Sequence, residues 1–329
     1  MTDEDTGRRI PPSLSEEEGP SKEGRPSEEA RPFPSAEEDR LHTALDPKTE
    51  QTLSPAYKLG FADPDFLLRD ELRASRLQLE FLKPDILLRD RGIAATVVMF
   101  GSSRIPAPAE AEARLAQARA ALVADPENPR VVQHERAVRA LAEKTRYYEE
   151  AQRLARMISE FERHPVPDDA CRLQHGPTSV VVVTGGGPGI MEAANRGAHD
   201  VGADSVGLNI VLPFEQWPNE YITPHLCFNF HYFALRKMHF LIRALALVVF
   251  PGGFGTMDEL FEVLTLIQTG KIRPIPVLLF GRSYWERIIN FPGLVEEGVC
   301  SPKDLTIFSY VETAEEAWCI LEPVVSRKA

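Results

Sequence analysis

The chain has 329 residues, with 37 Lys and Arg against 49 Asp and Glu, a formal net charge of −12, and 43% hydrophobic content. That is enough for one substantial α/β core plus an appendage. The acidic balance argues against nucleic-acid backbones as partners, and no apolar run approaches the ~18 residues of a membrane span.

Residues 1–50 hold fourteen Asp/Glu and seven Lys/Arg, a net −7, and are rich in Pro and Ser. Such a segment cannot bury enough apolar surface to offset ordering, so residues 1–52 are expected to be a disordered acidic tail. The start Met-Thr-Asp-Glu-Asp offers no apolar export signal. Cys171, Cys227, Cys300 and Cys319 are scattered, without disulfide or zinc spacing, as suits a reducing cytosol. A cytoplasmic protein is expected.

Residues 53–91 form an expected helical extension. It contains an internal echo, Pro64-Asp-Phe-Leu-Leu-Arg-Asp70 and Pro84-Asp-Ile-Leu-Leu-Arg-Asp90, and both copies look like helix starts. The apolar run Ala94–Phe100 then reads as a buried strand, followed by Gly101-Ser102-Ser103-Arg104. Two hydroxyls and a guanidinium beside a glycine suit a phosphate or ribose hydroxyls, though an ordinary turn has the same composition.

A helical hairpin insert is expected over about 106–145, broken at Asp125–Pro129. Its stripe Leu115, Ala118 and Leu122 faces Val131, Val138 and Leu141. Helix resumes at Tyr147-Tyr148. Val180–Val183 is the next strand, leading into Thr184-Gly185-Gly186-Gly187-Pro188-Gly189 and a helix that begins near Glu192. This spacing is neither the GxGxxG dinucleotide fingerprint nor a Walker A loop, which disfavours NAD binding and triphosphate hydrolysis. Glu192 is placed to reach ribose hydroxyls or merely to favour a helix start.

The strand Ala244–Phe250 runs into Pro251-Gly252-Gly253-Phe254-Gly255-Thr256-Met257-Asp258-Glu259, and Met257, Leu260, Val263, Leu264 and Ile267 keep helical spacing beyond it. A glycine loop opening a helix offers bare N–H groups and a favourable dipole to an anion. Two carboxylates beside it suit a ribose carbon becoming cationic. The plainer alternative makes Thr256 an N-cap and the carboxylates dipole partners; Asp258 in particular could cap its own helix.

Together these loops resemble the Lonely Guy (LOG) family, long mislabelled as lysine decarboxylases. Its PGGxGTxxE hallmark appears as Pro251–Glu259, its GGG loop as Gly185–Gly187, and its Arg-Lys pair as Arg236-Lys237, a likeness covering about residues 92–325. The resemblance implies a phosphoribohydrolase that splits a nucleoside 5′-monophosphate into free base and ribose 5-phosphate, as a homodimer or larger homo-oligomer with no cofactor. It assigns catalysis to Arg236 and Glu259. Loop chemistry and resemblance together assign substrate binding to Gly101, Ser102, Ser103, Arg104, Gly185, Gly186, Gly187, Gly189, Glu192, Lys237, Gly252, Gly253, Gly255 and Thr256.

Arg104, the Ile190-Met191-Glu192 continuation and the charged insert resemble the longer bacterial branch, which points to AMP as much as to a cytokinin nucleotide. The old label would need a Schiff-base lysine. Lys237 and Lys271, the lysines near the motifs, lack that context. A non-catalytic nucleotide sensor or carrier is the alternative. His231 and His239 are expected to pack or face solvent, and His164, His175 and Cys171 lack metal-ligand spacing.

Alternating strands and helices from residue 92 onward predict an α/β, Rossmann-like, doubly wound parallel sheet with helices on both faces. All three loops follow strands, so they should meet at the carboxyl edge.

Overall fold

The computed structural model describes residues 33–163, 179–213 and 217–326. The chain divides into a unit ending at Leu72 and a unit beginning at Arg73.

In the first unit, α1 spans Ala36–Ala44. Ser35 and Glu38 form a capping box at its start, with the Glu38 N–H donating to Ser35 Oγ and the Ser35 N–H donating to Glu38 Oε2. The unstructured segment expected through residue 52 therefore includes a helix. Its start signal was legible as Ser-x-x-Glu, but the acidic composition around it outweighed that local cue. Residues 1–32 of the tail lie outside the described residues. Pro64 opens the short helix α2, Pro64–Leu67, as the first half of the echo predicts.

The second half of the echo behaves differently. Pro84 lies inside α3, Arg73–Asp90, rather than at its start. Proline in a helix interior forfeits a backbone hydrogen bond. Pro84 and Leu88 are nonetheless buried on this helix, and packing overrides the local preference.

Seven parallel strands form one sheet in the order β4-β3-β2-β1-β5-β6-β7. They are β1 Ile93–Phe100, β2 Ser179–Thr184, β3 Ser205–Ile210, β4 Cys227–Phe230, β5 Ala244–Val249, β6 Val277–Phe280 and β7 Phe308–Val311. The insert is a helical pair, α4 Pro108–Ala124 and α5 Pro129–Ala142, and α6 Arg146–Arg163 follows. After β2 comes α7, Ile190–His199. Then come α8 Phe233–Ile242, α9 Phe254–Gln268, α10 Arg282–Ile288, α11 Phe291–Glu296 and α12 Ala314–Ser326. Between β3 and β4 no helix of the α type lies among the described residues, so strict strand–helix alternation fails there.

Alternate strand residues feed two cores. Val97 and Met99 of β1 join Leu154 and Ile158 of α6, Ala193 of α7 and Leu321 of α12 on one face. Val98 and Phe100 join Phe240 of α8, Leu260 and Val263 of α9 and Trp285 of α10 on the other. Strands buried on both faces read as unbroken apolar runs, and the sheet is doubly wound. Strand order reverses between β1 and β5. A ligand crevice is expected at that switch point, outside the carboxyl ends of the strands.

Candidate active site

Three neighbouring strands deliver the three loops to one place. The Ser102 N–H, after β1, donates to the Pro251 carbonyl after β5 at 3.0 Å, and the Ser102 carbonyl accepts from the Ile190 N–H at the start of α7 at 3.1 Å. Gly189 makes this approach possible. Its φ is +72°, and a Cβ there would lie 2.4 Å from the Ser102 carbonyl oxygen, so only glycine fits without strain.

A cavity of about 790 Å³ opens at this junction. It is lined by Gly101, Ser102, Ser103 and Arg104 from the first loop and Gly185 from the second, with Arg236 from α8 and Gly252, Gly253, Gly255, Thr256 and Glu259 from the third loop and α9. The helix α9 begins at N-cap Gly253, which makes no side-chain cap bond. Its first-turn N–H groups are thus left for a ligand or solvent. A Cβ on Gly253 or Gly255 would meet nothing within 4 Å. The protein's own packing does not demand glycine at either position, whereas close approach of an anion to the backbone does.

Glu259 sits one turn into α9 with 6% of its surface exposed. Its Oε1 lies 3.5 Å from Arg236 Nη2 and its Oε2 3.9 Å from Lys237 Nζ. Burial pushes its carboxyl up to about 7, against the pull of Lys237 and Arg236. Burial likewise lowers the Arg236 guanidinium below its ordinary value, although Glu259 and Asp258 oppose it. The pair is therefore desolvated before any ligand arrives, where electrostatic effects on a reacting centre are strongest.

Several sequence-predicted residues have other occupations. Gly186, Gly187 and Gly189 are buried outside the cavity lining. Asn219 Nδ2 donates to the Gly186 and Gly187 carbonyls at 3.2 and 3.0 Å and to Asn195 Oδ1 at 3.0 Å. These glycines shape the loop and leave Gly185 to reach the site. Glu192 accepts a 2.8 Å hydrogen bond from the Tyr148 hydroxyl of α6, which takes it away from the cavity lining.

Lys237 pairs with Asp258 at 2.9 Å and Glu262 at 3.0 Å and lines an adjoining open cleft. Burial alone would lower its ammonium, yet those carboxylates raise it. The same ion pair corrects the expectation for Asp258, which lies five positions into α9 and caps nothing. Thr256 is likewise not the N-cap. His239 is buried between the Phe81 and Phe230 rings, with centroids at 5.2 and 5.5 Å, and His231 is exposed, as expected.

Sequence reasoning missed Asn209, Phe233, Tyr284 and Ile288, all of which line the cavity. Two carried a signal. Asn209 is polar inside the apolar strand β3. Tyr284 follows Gly281 after β6 and so belongs to the same carboxyl edge; its hydroxyl donates to the Gly252 carbonyl at 2.5 Å.

Residues 191–321 match a family model described as "Possible lysine decarboxylase". A "Probable cytokinin riboside 5'-monophosphate phosphoribohydrolase" of Arabidopsis thaliana is 31% identical over 149 residues, 44% of this chain and 72% of the relative. The chain belongs to the Lonely Guy family. Other relatives of this Lonely Guy protein are covered less fully. A "Probable cytokinin riboside 5'-monophosphate phosphoribohydrolase" of Oryza sativa subsp. japonica is 33% identical over 149 residues, 44% of this chain and 59% of the relative. A "Cytokinin riboside 5'-monophosphate phosphoribohydrolase" of Arabidopsis thaliana is 31% identical over 140 residues, 41% and 63% of the two.

Among solved structures, TM1055 is similar at 20% identity and a TM-score of 0.41, covering 70% of this chain and 99% of that one. The Moco carrier protein of Chlamydomonas reinhardtii is similar at 16% identity and a TM-score of 0.37, with 71% and 98% covered.

Proposed function

We propose that this chain hydrolyses the N-glycosidic bond of a nucleoside 5′-monophosphate, with AMP as a substrate, to free base and ribose 5-phosphate. One observation carries the reading: the buried Glu259–Arg236 pair opens on the same cavity as the bare N-terminus of α9.

The 5′-phosphate rests on the α9 amides beside Gly253 and Gly255, which anchors the ribose near Glu259. As the bond from C1′ to the base lengthens, positive charge grows on C1′ and the ring oxygen. The ionised Glu259 carboxylate stabilises that charge and orients the attacking water. The water oxygen bonds to C1′, the bonding pair leaves with the base, and the water's proton ends on the base nitrogen. Arg236 binds the departing base electrostatically; a guanidinium is a poor proton donor.

Among the described residues no lysine lines the central cavity, which supports hydrolysis over Schiff-base chemistry. The reading includes a homodimer or larger homo-oligomer. Phe254, 95% exposed, together with Phe233, Met238 and Ile242, leaves apolar surface on α8 and α9 of the kind subunit contacts cover. Sedimentation of a monomer at micromolar concentration would contradict that part.

The activity is tested by incubating the pure protein with AMP and resolving the products. Adenine and ribose 5-phosphate in equal amounts support the proposal. Nucleotide retained on the protein with no product would favour a carrier or sensor instead.

A further inference from the structure

The helix α8, which carries Arg236 and Lys237, has no cap of its own. Its N-cap is Tyr232, whose side chain makes no cap bond, and its first turn holds no acidic residue. The residues leading into it are held instead by α3. Glu80 Oε1 accepts from the His231 N–H at 2.6 Å and from the Tyr232 N–H at 2.9 Å, across 151 and 152 residues of chain. A carboxylate acceptor makes stronger hydrogen bonds than a neutral one, and negative charge at a helix N-terminus complements the helix dipole.

The path from Glu80 to the site is short. Tyr232, held through its N–H, accepts through its carbonyl from the Arg236 N–H at 3.2 Å. At the other end of α8, Arg243 Nη2 donates to Asp85 Oδ1 at 2.7 Å and to the Asp85 carbonyl at 3.2 Å. Between these anchors the His239 ring packs on Phe81. Thus α3 grips α8 at its start, middle and end.

Arg236 depends on that grip. Its Nε is buried without a hydrogen-bond partner, and the guanidinium lies over the Phe233 and Phe240 rings, 5.1 and 5.6 Å from their centroids. Apart from the 3.5 Å approach to Glu259 and the charge of Asp258, no polar group acts on it among the described residues, so its place follows from the placement of α8.

We infer that Glu80 is a positioning residue: by fixing the entry to α8 it sets where Arg236 and Lys237 stand around Glu259. The kinetic half of this inference rests on the hydrolase reading; the electrostatic half does not. Glu259 is faced by Arg236 and Lys237 from α8 and by Asp258 and Glu262 on its own helix. Releasing α8 frees Arg236 above all, since Lys237 keeps its pairs with Asp258 and Glu262, and leaves the two carboxylates in place.

The test is a carboxyl ¹³C NMR titration of Glu259 without substrate, assigned with Glu259→Gln, alongside steady-state AMP kinetics. In Glu80→Ala the Glu259 midpoint should rise above that of the wild type. The kcat should fall roughly ten- to a hundredfold while KM changes less than about threefold, as expected for displaced catalytic groups. Glu80→Gln keeps an acceptor oxygen without the charge and should restore both values in part. If the alanine variant fails to fold, Glu80→Asp, one carbon short of its two partners, should shift the midpoint in the same direction. An unmoved Glu259 midpoint in a folded Ala or Asp variant overturns the inference. Absence of AMP turnover in the wild type would instead overturn the hydrolase reading, and the titration would still decide the role of Glu80.

Discussion

Glu259 is held in conditions that oppose its ionisation, and the proposed chemistry needs it ionised. With its carboxyl raised to about 7, kcat/KM for AMP should climb through neutral pH and level off above it, because the carboxylate form is the active one. A rate that is flat from pH 5 to 9 would contradict this. The same shift has a stability consequence of opposite sense. The folded state holds its proton more tightly than the unfolded chain, so the contribution is fully present below about 4.5 and is lost as pH rises to about 7. That loss amounts to about 3 kcal/mol at most. Glu259→Gln lacks this dependence. Denaturant unfolding should therefore show the variant gaining on the wild type between pH 4.5 and 8, while kcat falls at least about a hundredfold.

At the scale of the helix, α9 exchanges stability for binding. Gly255 lies in its first turn with no positive φ, and a Cβ there would touch nothing. By helix propensity Gly255→Ala should stabilise the fold by up to about 1 kcal/mol. The added methyl group points into open space where the phosphate is proposed to sit, so KM for AMP should rise about tenfold or more. A Tm gain with unchanged KM would remove the phosphate from that helix end. The cradle itself was legible in the sequence, since Pro251–Glu259 joins an apolar run to a helical period. What local pattern could not reveal was competition for partners. Lys237 and Glu192 have the right chemistry for phosphate and ribose, but Asp258, Glu262 and Tyr148 claim them first. Pro84 misled for a related reason, because contacts distant in sequence keep its helix intact.

For the molecule as a whole, the parallel, doubly wound sheet and the three converging loops followed from alternation of apolar runs and helical periods, whereas the strand order did not. Strand β4 and the Glu80 link did not, being short or joined across more than 150 residues. Every site residue described here lies beyond Leu72, in the second unit. A chain starting at Arg73 keeps α3, and it should unfold cooperatively and retain AMP turnover within about threefold; loss of folding would show that the first unit is integral. The claim on which all else depends is that one cavity joins a phosphate cradle to a working carboxylate. Its most direct measurement is product analysis of AMP incubated with the wild type and with Glu259→Gln. Adenine and ribose 5-phosphate are expected from the wild type, and nucleotide binding without release from the variant. Equal turnover by both proteins would contradict that claim.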